Sequence, residues 1–185
     1  FASYLMKKLF KTHTLMNPLV DVKTVDVHVV LFKEYESAEI DHSGKDEAFT
    51  DDIIKAATSL TQEQIDALSM PDFNSLEQLT MELINHSSEY FYDLENKKFN
   101  AETPTLLDPI PSCEKITYRV PSVKVSRLAD TIQNTQSEPF KTARYLTTAC
   151  TDLSDMDIDQ LSVRDWNMLQ KRITDFLQEQ AGYFQ

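Results

Sequence analysis

Asp155, Asp157 and Asp159 alternate along one stretch, the spacing at which a calcium-binding loop begins. Such a loop also needs glycine at its sixth position and a bidentate glutamate at its twelfth, where this chain has Gln160 and Trp166. Upstream, Gln62, Gln64 and Asp66 stand at equivalent positions, so only one of the three acids recurs. Helix capping and a solvated acidic face account for the acids better than a metal does. His13, His28, His42 and His86 are scattered, with no His or Cys pair at ligand spacing, and a zinc site is not expected. The only two glycines, Gly44 and Gly182, lie far apart, which excludes phosphate-cradling loops, dinucleotide fingerprints and the nucleophile elbow of serine hydrolases. The expectation is a protein that is not an enzyme and takes no cofactor.

What the chain does carry is a repeat. Ala56–Leu76 aligns without a gap on Ala149–Leu169, 93 residues later, with 10 of 21 positions identical. A second block, THTLMNPL from Thr12, reads against TPTLLDPI from Thr103 at an offset of 91. The two blocks occur in the same order, which predicts two tandem copies of one unit, 1–92 and 93–185. Four polar residues of the shared helical block are candidate partner contacts: Asp66 and Asn74 in the first copy, Asp159 and Asn167 in the second. Asp72 and Asp165 are shared too, but each stands three residues after a serine and reads as a helix cap.

Net charge is −12 and is shared unequally. Up to Phe91, 16 acids oppose 7 lysines; beyond it, 14 acids oppose 11 basic residues, and all five arginines lie there. An acidic chain is a poor ligand for nucleic acid or an anionic membrane, and it suits a partner with a basic face. No apolar run has the length of a membrane span, and the opening FASYLMKKLF lacks a signal-cleavage pattern. Cys113 and Cys150 show no pairing pattern, which fits a reducing compartment. The absence of an initial Met suggests that an end has been trimmed.

The elements that must position these residues follow from periodicity. Phe1–Phe10 reads either as a short amphipathic helix or as a disordered lead. Val20–Phe32 alternates apolar and polar residues, predicting a strand or hairpin, with Lys115–Val125 as its counterpart; there Pro121 predicts an edge strand or a break before a helix. Glu34–Asp52 reads as polar and loop-containing, Arg127–Thr135 as more helical, and Asn96–Glu114, with three prolines, as an extended linker. First helices are predicted over Asp51–Leu60 and Phe140–Leu153. Thr61-x-x-Gln64 and Ser154-x-x-Asp157 then cap short second helices. Ser69 and Ser162 open long third helices, with Phe73, Leu76, Trp166 and Leu169 turned inward. The fold class is α+β, mainly α: a tandem duplication of a unit with a short β ribbon followed by three helices.

The second copy resembles a known family. Its Thr105-Leu106-Leu107-Asp108-Pro109-Ile110, then Tyr118-Arg119-Val120-Pro121-Ser122-Val123, then Leu153, Ile158, Leu161, Asp165 and Leu169, is similar to the phage tail assembly chaperones of Mu-like and P2-like phages. In place of a glycine in the family's helical end stands Asp152. The resemblance implies a non-enzymatic chaperone that binds the phage tape-measure protein and tail-tube or baseplate proteins in the host cytoplasm, and that can oligomerise. The helical unit also resembles baseplate hub proteins, which implies a structural tail or baseplate component of the virion as the alternative. An acidic nucleic-acid-mimic inhibitor is a third reading, resting on charge alone.

Overall fold

In the computed structural model, residues 7–44 and 46–185 are described, and the chain forms two compact units, Phe1–Asn85 and His86–Gln185. The choice between helix and lead for Phe1–Phe10 falls mostly outside the described residues; Leu9 and Phe10 already belong to a strand.

The first unit opens with an antiparallel hairpin of β1 (Leu9–Leu19) and β2 (Val22–His28). The chain reverses at Val20-Asp21, with Asp21 at φ 60°, a left-handed conformation that aspartate tolerates better than most residues. Leu15, Val25 and Val27 are buried, so the alternation read in Val25–Val29 is that of a half-buried ribbon. The strand expected over Val20–Phe32 ends at His28. Four helices follow rather than three: α1 (Phe32–Asp41), α2 (Glu47–Thr58), α3 (Gln62–Ala67) and α4 (Met70–Asn85). α1 occupies much of the segment read as loop, holding Phe32 and Ala38 in the core while Glu34 accepts the Leu31 N–H at 2.9 Å. α2 turns Phe49, Ile53, Ile54 and Ala57 inward and packs on β2, α1 and α4. The Thr61–Gln64 capping box is formed in full.

The second unit begins with α5 (Ser88–Leu94), which packs on the long last helix. Then come β3 (Thr105–Ile110) and β4 (Cys113–Lys115), a hairpin inside the segment read as linker. The strand expected over Lys115–Val125 stops at Lys115, and Pro121 marks a break: Ser122 caps α6 (Val123–Asp130) by accepting the Val125 N–H at 3.2 Å. α7 (Lys141–Cys150), α8 (Asp155–Gln160) and α9 (Val163–Gln178) complete it, with a 3-10 turn at Ala181–Phe184. The Ser154–Asp157 capping box is also formed. Leu146, Cys150, Ile158, Leu161, Trp166, Leu169 and Ile173 are buried in this unit's core. Burial pushes the Cys150 thiol pKa up, as expected of an inert cysteine among apolar neighbours. Phe73 is only half-buried, whereas Leu76, Trp166 and Leu169 are buried.

Candidate functional site

The shared acids that read as caps do more than cap. Asp72, at the start of α4, is 1% exposed although it stands 55 and 56 residues from its partners. Its carboxylate accepts the backbone N–H of Met16 at 2.8 Å, that of Asn17 at 3.1 Å, and the Ser69 hydroxyl at 2.8 Å; the His13 ring lies at 2.9 Å. The Met16 amide foremost, helped by the other donors, holds this carboxyl well below the usual range against the cost of desolvation. Asp165, at the start of α9, is 0% exposed and accepts the N–H groups of Leu107 and Asp108, each at 3.0 Å, and the hydroxyl of Ser88. In both units, then, the third residue of the long helix clamps the two amides just before the proline of the leading motif. From its second threonine onward that motif, T-x-T-L-x-[ND]-P-[LI], is strand in both units, with the two amides before its proline turned onto a helix start.

The second clamp carries an ion pair at two positions that are uncharged in the first. Where the first unit has Asn17, the second has Asp108, whose carboxylate takes Arg164 at 2.7 and 2.8 Å, both side chains nearly buried. The Arg164 guanidinium also lies 4.9 Å from the Phe91 ring centroid. At the position of Arg164 the first unit has Pro71, which faces no extra carboxylate. Burial, and then the Asp108 carboxylate, push Asp165 up, against the pull of its donors.

The four candidate contact residues separate. Asp66, on α3, is exposed and accepts from Gln62 at 3.1 Å, while Gln62 also donates to Asp51 at 2.9 Å. Asp159, on α8, is half-buried and paired with Arg144 at 2.6 Å; Arg144 also meets Asp155 at 3.6 Å. One three-residue polar link therefore recurs with its charge pattern changed, Asp51–Gln62–Asp66 against Arg144–Asp155–Asp159. Asn167 donates to the His86 carbonyl at 3.2 Å, and Asn74 is exposed on α4. Asp66 and Asn74 stand on different helices of the first unit, Asp159 and Asn167 on different helices of the second. The shared Thr58 and Thr151 are local as well, each accepting the N–H of the leucine two residues on, at 3.2 and 3.1 Å.

Arg119, central to the resemblance, closes the end of α7. Its side chain donates to the carbonyls of Thr148, Ala149 and Thr151, and it pairs with Asp152. The carbonyls left over at a helix C-terminus favour a cation there. Asp152 supplies that cation's carboxylate partner.

A different surface, not evident from the sequence pattern, lies on α6. Val120, Val123 and Leu128 are 71%, 66% and 47% exposed on and beside α6. Lys124 and Arg127 are exposed on the same helix, with no ion pair among the described residues. The signal lies in the apolar and basic residues of VKVSRLAD, whose first three residues fall within the strand that alternation predicts over Lys115–Val125.

Residues 103–178 match the family model described as phage tail assembly chaperone proteins, E, or 41 or 14. The matched span takes in β3 through α9, and so includes the Asp165 clamp, Arg119 and α6. It supports a role in tail morphogenesis. No curated protein and no solved structure matched the chain. Among the described residues, no group of three or more His, Cys, Asp or Glu side chains is placed to hold a metal ion, and no helix is long and apolar enough to cross a membrane.

Proposed function

We propose that this protein is a non-enzymatic tail assembly chaperone that binds the phage tape-measure protein and other tail proteins in the host cytoplasm. The observation that carries the reading is the α6 face within the family-matched span. Single exposed leucines or valines are ordinary, but three beside two unpaired cations make a patch of the kind that docks another protein. On a chain of net charge −12, a local basic and apolar face suits a helix that presents apolar residues flanked by acids. We take that helix to be a segment of the tape measure.

The chain is further read as two diverged copies, 1–92 and 93–185. Support comes from the recurring amide clamps of Asp72 and Asp165, the paired Thr58 and Thr151 bonds, and the two capping boxes. Two related surfaces on one chain can engage a long repetitive partner with an avidity gain of about 10²–10⁴ over either alone. Asp66 and Asn74, exposed in the first copy, are its proposed contacts; Asp159 and Asn167, tied up internally, are the weaker pair.

Affinity purification of the tagged chain from infected cells tests this. The expected result is co-purification of the tape-measure protein, with the chain absent from finished virions. Recovery in purified particles instead would favour a baseplate or tail component.

A further inference from the structure

A cavity of about 140 Å³ lies in the second unit along the later turns of α9, lined among others by Phe99, Tyr118, Met168, Arg172 and Tyr183. The Nε of Arg172 is buried and has no hydrogen-bond partner among the described residues. Its guanidinium lies 5.1 Å from the ring centroids of both Phe176 and Phe184, aromatic faces that favour its charge but accept no conventional hydrogen bond. The other charges lining the cavity are engaged elsewhere: Lys171 pairs with Glu89 at 3.1 Å, and Asp175 accepts the Tyr183 hydroxyl at 3.3 Å. Neither carboxylate pairs with Arg172. The Tyr118 hydroxyl also lacks a protein acceptor, and burial keeps its phenol protonated, so it remains a donor. Buried donors in native proteins nearly always have an acceptor, and the Arg172 Nε, on a residue that lines this cavity together with Tyr118, has none.

We propose that this cavity is a carboxylate-binding site for an acidic side chain or chain terminus of a protein partner. Arg172 supplies the charged donors and Tyr118 a hydroxyl, while Phe99 and Met168 pack on the carbon stem. A guanidinium beside aromatic walls suits a planar monoanion. Glu89 and Asp175 on the lining, and the acidity of the whole chain, disfavour a dianionic phosphate. The site is argued from the second unit alone and does not depend on the tape-measure reading.

The test is a ¹⁵N NMR titration of the full chain, following the Arg172 Nε–Hε resonance. The probes are N-acetylglutamate α-amide, with a side-chain carboxylate; N-acetylphenylalanine, with a terminal one; and N-acetylglutamine amide, which is uncharged. A downfield Hε shift with one or both acids, with a millimolar Kd and little response to the amide, supports the site, and the better acid identifies the source. Arg172→Gln should abolish the saturable shifts of the neighbouring backbone amides while leaving the remaining spectrum folded. Tyr118→Phe, which keeps the ring, should weaken binding by about 2- to 10-fold. No saturable shift with either acid, or equal shifts with the uncharged amide, would overturn the proposal.

Discussion

Asp108 donates its backbone N–H to Asp165 at 3.0 Å while its own carboxylate turns to Arg164 at 2.7 and 2.8 Å. Two carboxylates thus share one buried corner, and the arginine is the cation that makes this tolerable. The first unit solves the same junction with Asn17 and Pro71, needing no cation because it brings no second acid. Asp108 and Arg164 are therefore one device in two residues. Arg164→Gln alone leaves Asp108 without its buried cation beside Asp165, and should cost about 3–5 kcal/mol. Asp108→Asn with Arg164→Gln should recover a large part of that loss. Urea unfolding followed by fluorescence of Trp166, the only tryptophan, reads it directly. Additive effects of the two substitutions would mean that the pair is not coupled.

The clamps should also respond to pH with opposite signs. Asp72 is held below its ordinary value, so its contribution is complete above its unfolded pKa of about 3.9. That contribution is lost as pH falls from there toward the depressed folded value. Asp165 is pushed up, so its contribution is present below the unfolded pKa and is lost as pH rises through the folded one. Asp72→Asn should therefore flatten the acid-side fall in stability, and Asp165→Asn should remove a loss that sets in as pH rises. Thermal unfolding of each variant across pH 3–8 checks the signs; the same sign for both would refute the assignment.

How far this was readable in advance depends on distance along the chain. Ser154-x-x-Asp157 and Thr61-x-x-Gln64 are local signals, and both form the boxes they spell. The inward face of α2, with Ile53, Ile54 and Ala57, is likewise a local period. α1 leaves no periodic signal because FKEYESAEID buries only Phe32 and Ala38, too few apolar residues to mark a face. α5 is only seven residues long and gave no period. The clamps were hidden for another reason: Asp72 meets Met16 across 56 residues, and a serine three positions earlier already gave the acid a sufficient local role. The repeat did preserve both halves of the contact, since Asn17/Asp108 lies in one shared block and Asp72/Asp165 in the other. The charge of Arg172 was legible, but its lack of an acceptor exists only once α9, Tyr118 and the 3-10 turn are folded together.

Arg119 and Asp152 offer a check on the family-matched span. Arg119 reaches three carbonyls at the end of α7, whereas Asp152 is a largely exposed carboxylate that only pairs with it. Exposed ion pairs contribute about 0–1 kcal/mol, so Asp152→Gly should change stability little. Arg119→Ala removes the charge and donors from the carbonyls as well, and should cost more, about 1–2 kcal/mol. Thermal melts of both variants decide it. Equal losses would mean that the ion pair, and not the helix-end contacts, is what matters.

The last prediction concerns α6. If Lys124 and Arg127 guide an acidic helix onto Val120, Val123 and Leu128, reversing both charges should weaken capture without unfolding the chain, because both are exposed and unpaired. Lys124→Glu with Arg127→Glu should lower the amount of tape-measure protein co-purified at low salt by at least about tenfold, mainly by slowing association. Val123→Ser with Leu128→Ser should instead weaken capture at every salt concentration, because apolar contact is not screened as charge is. Pull-downs at low and high salt separate the two effects. Undiminished capture by both double variants would remove α6 as the binding face, while the chaperone reading itself would still stand on the wild-type pull-down.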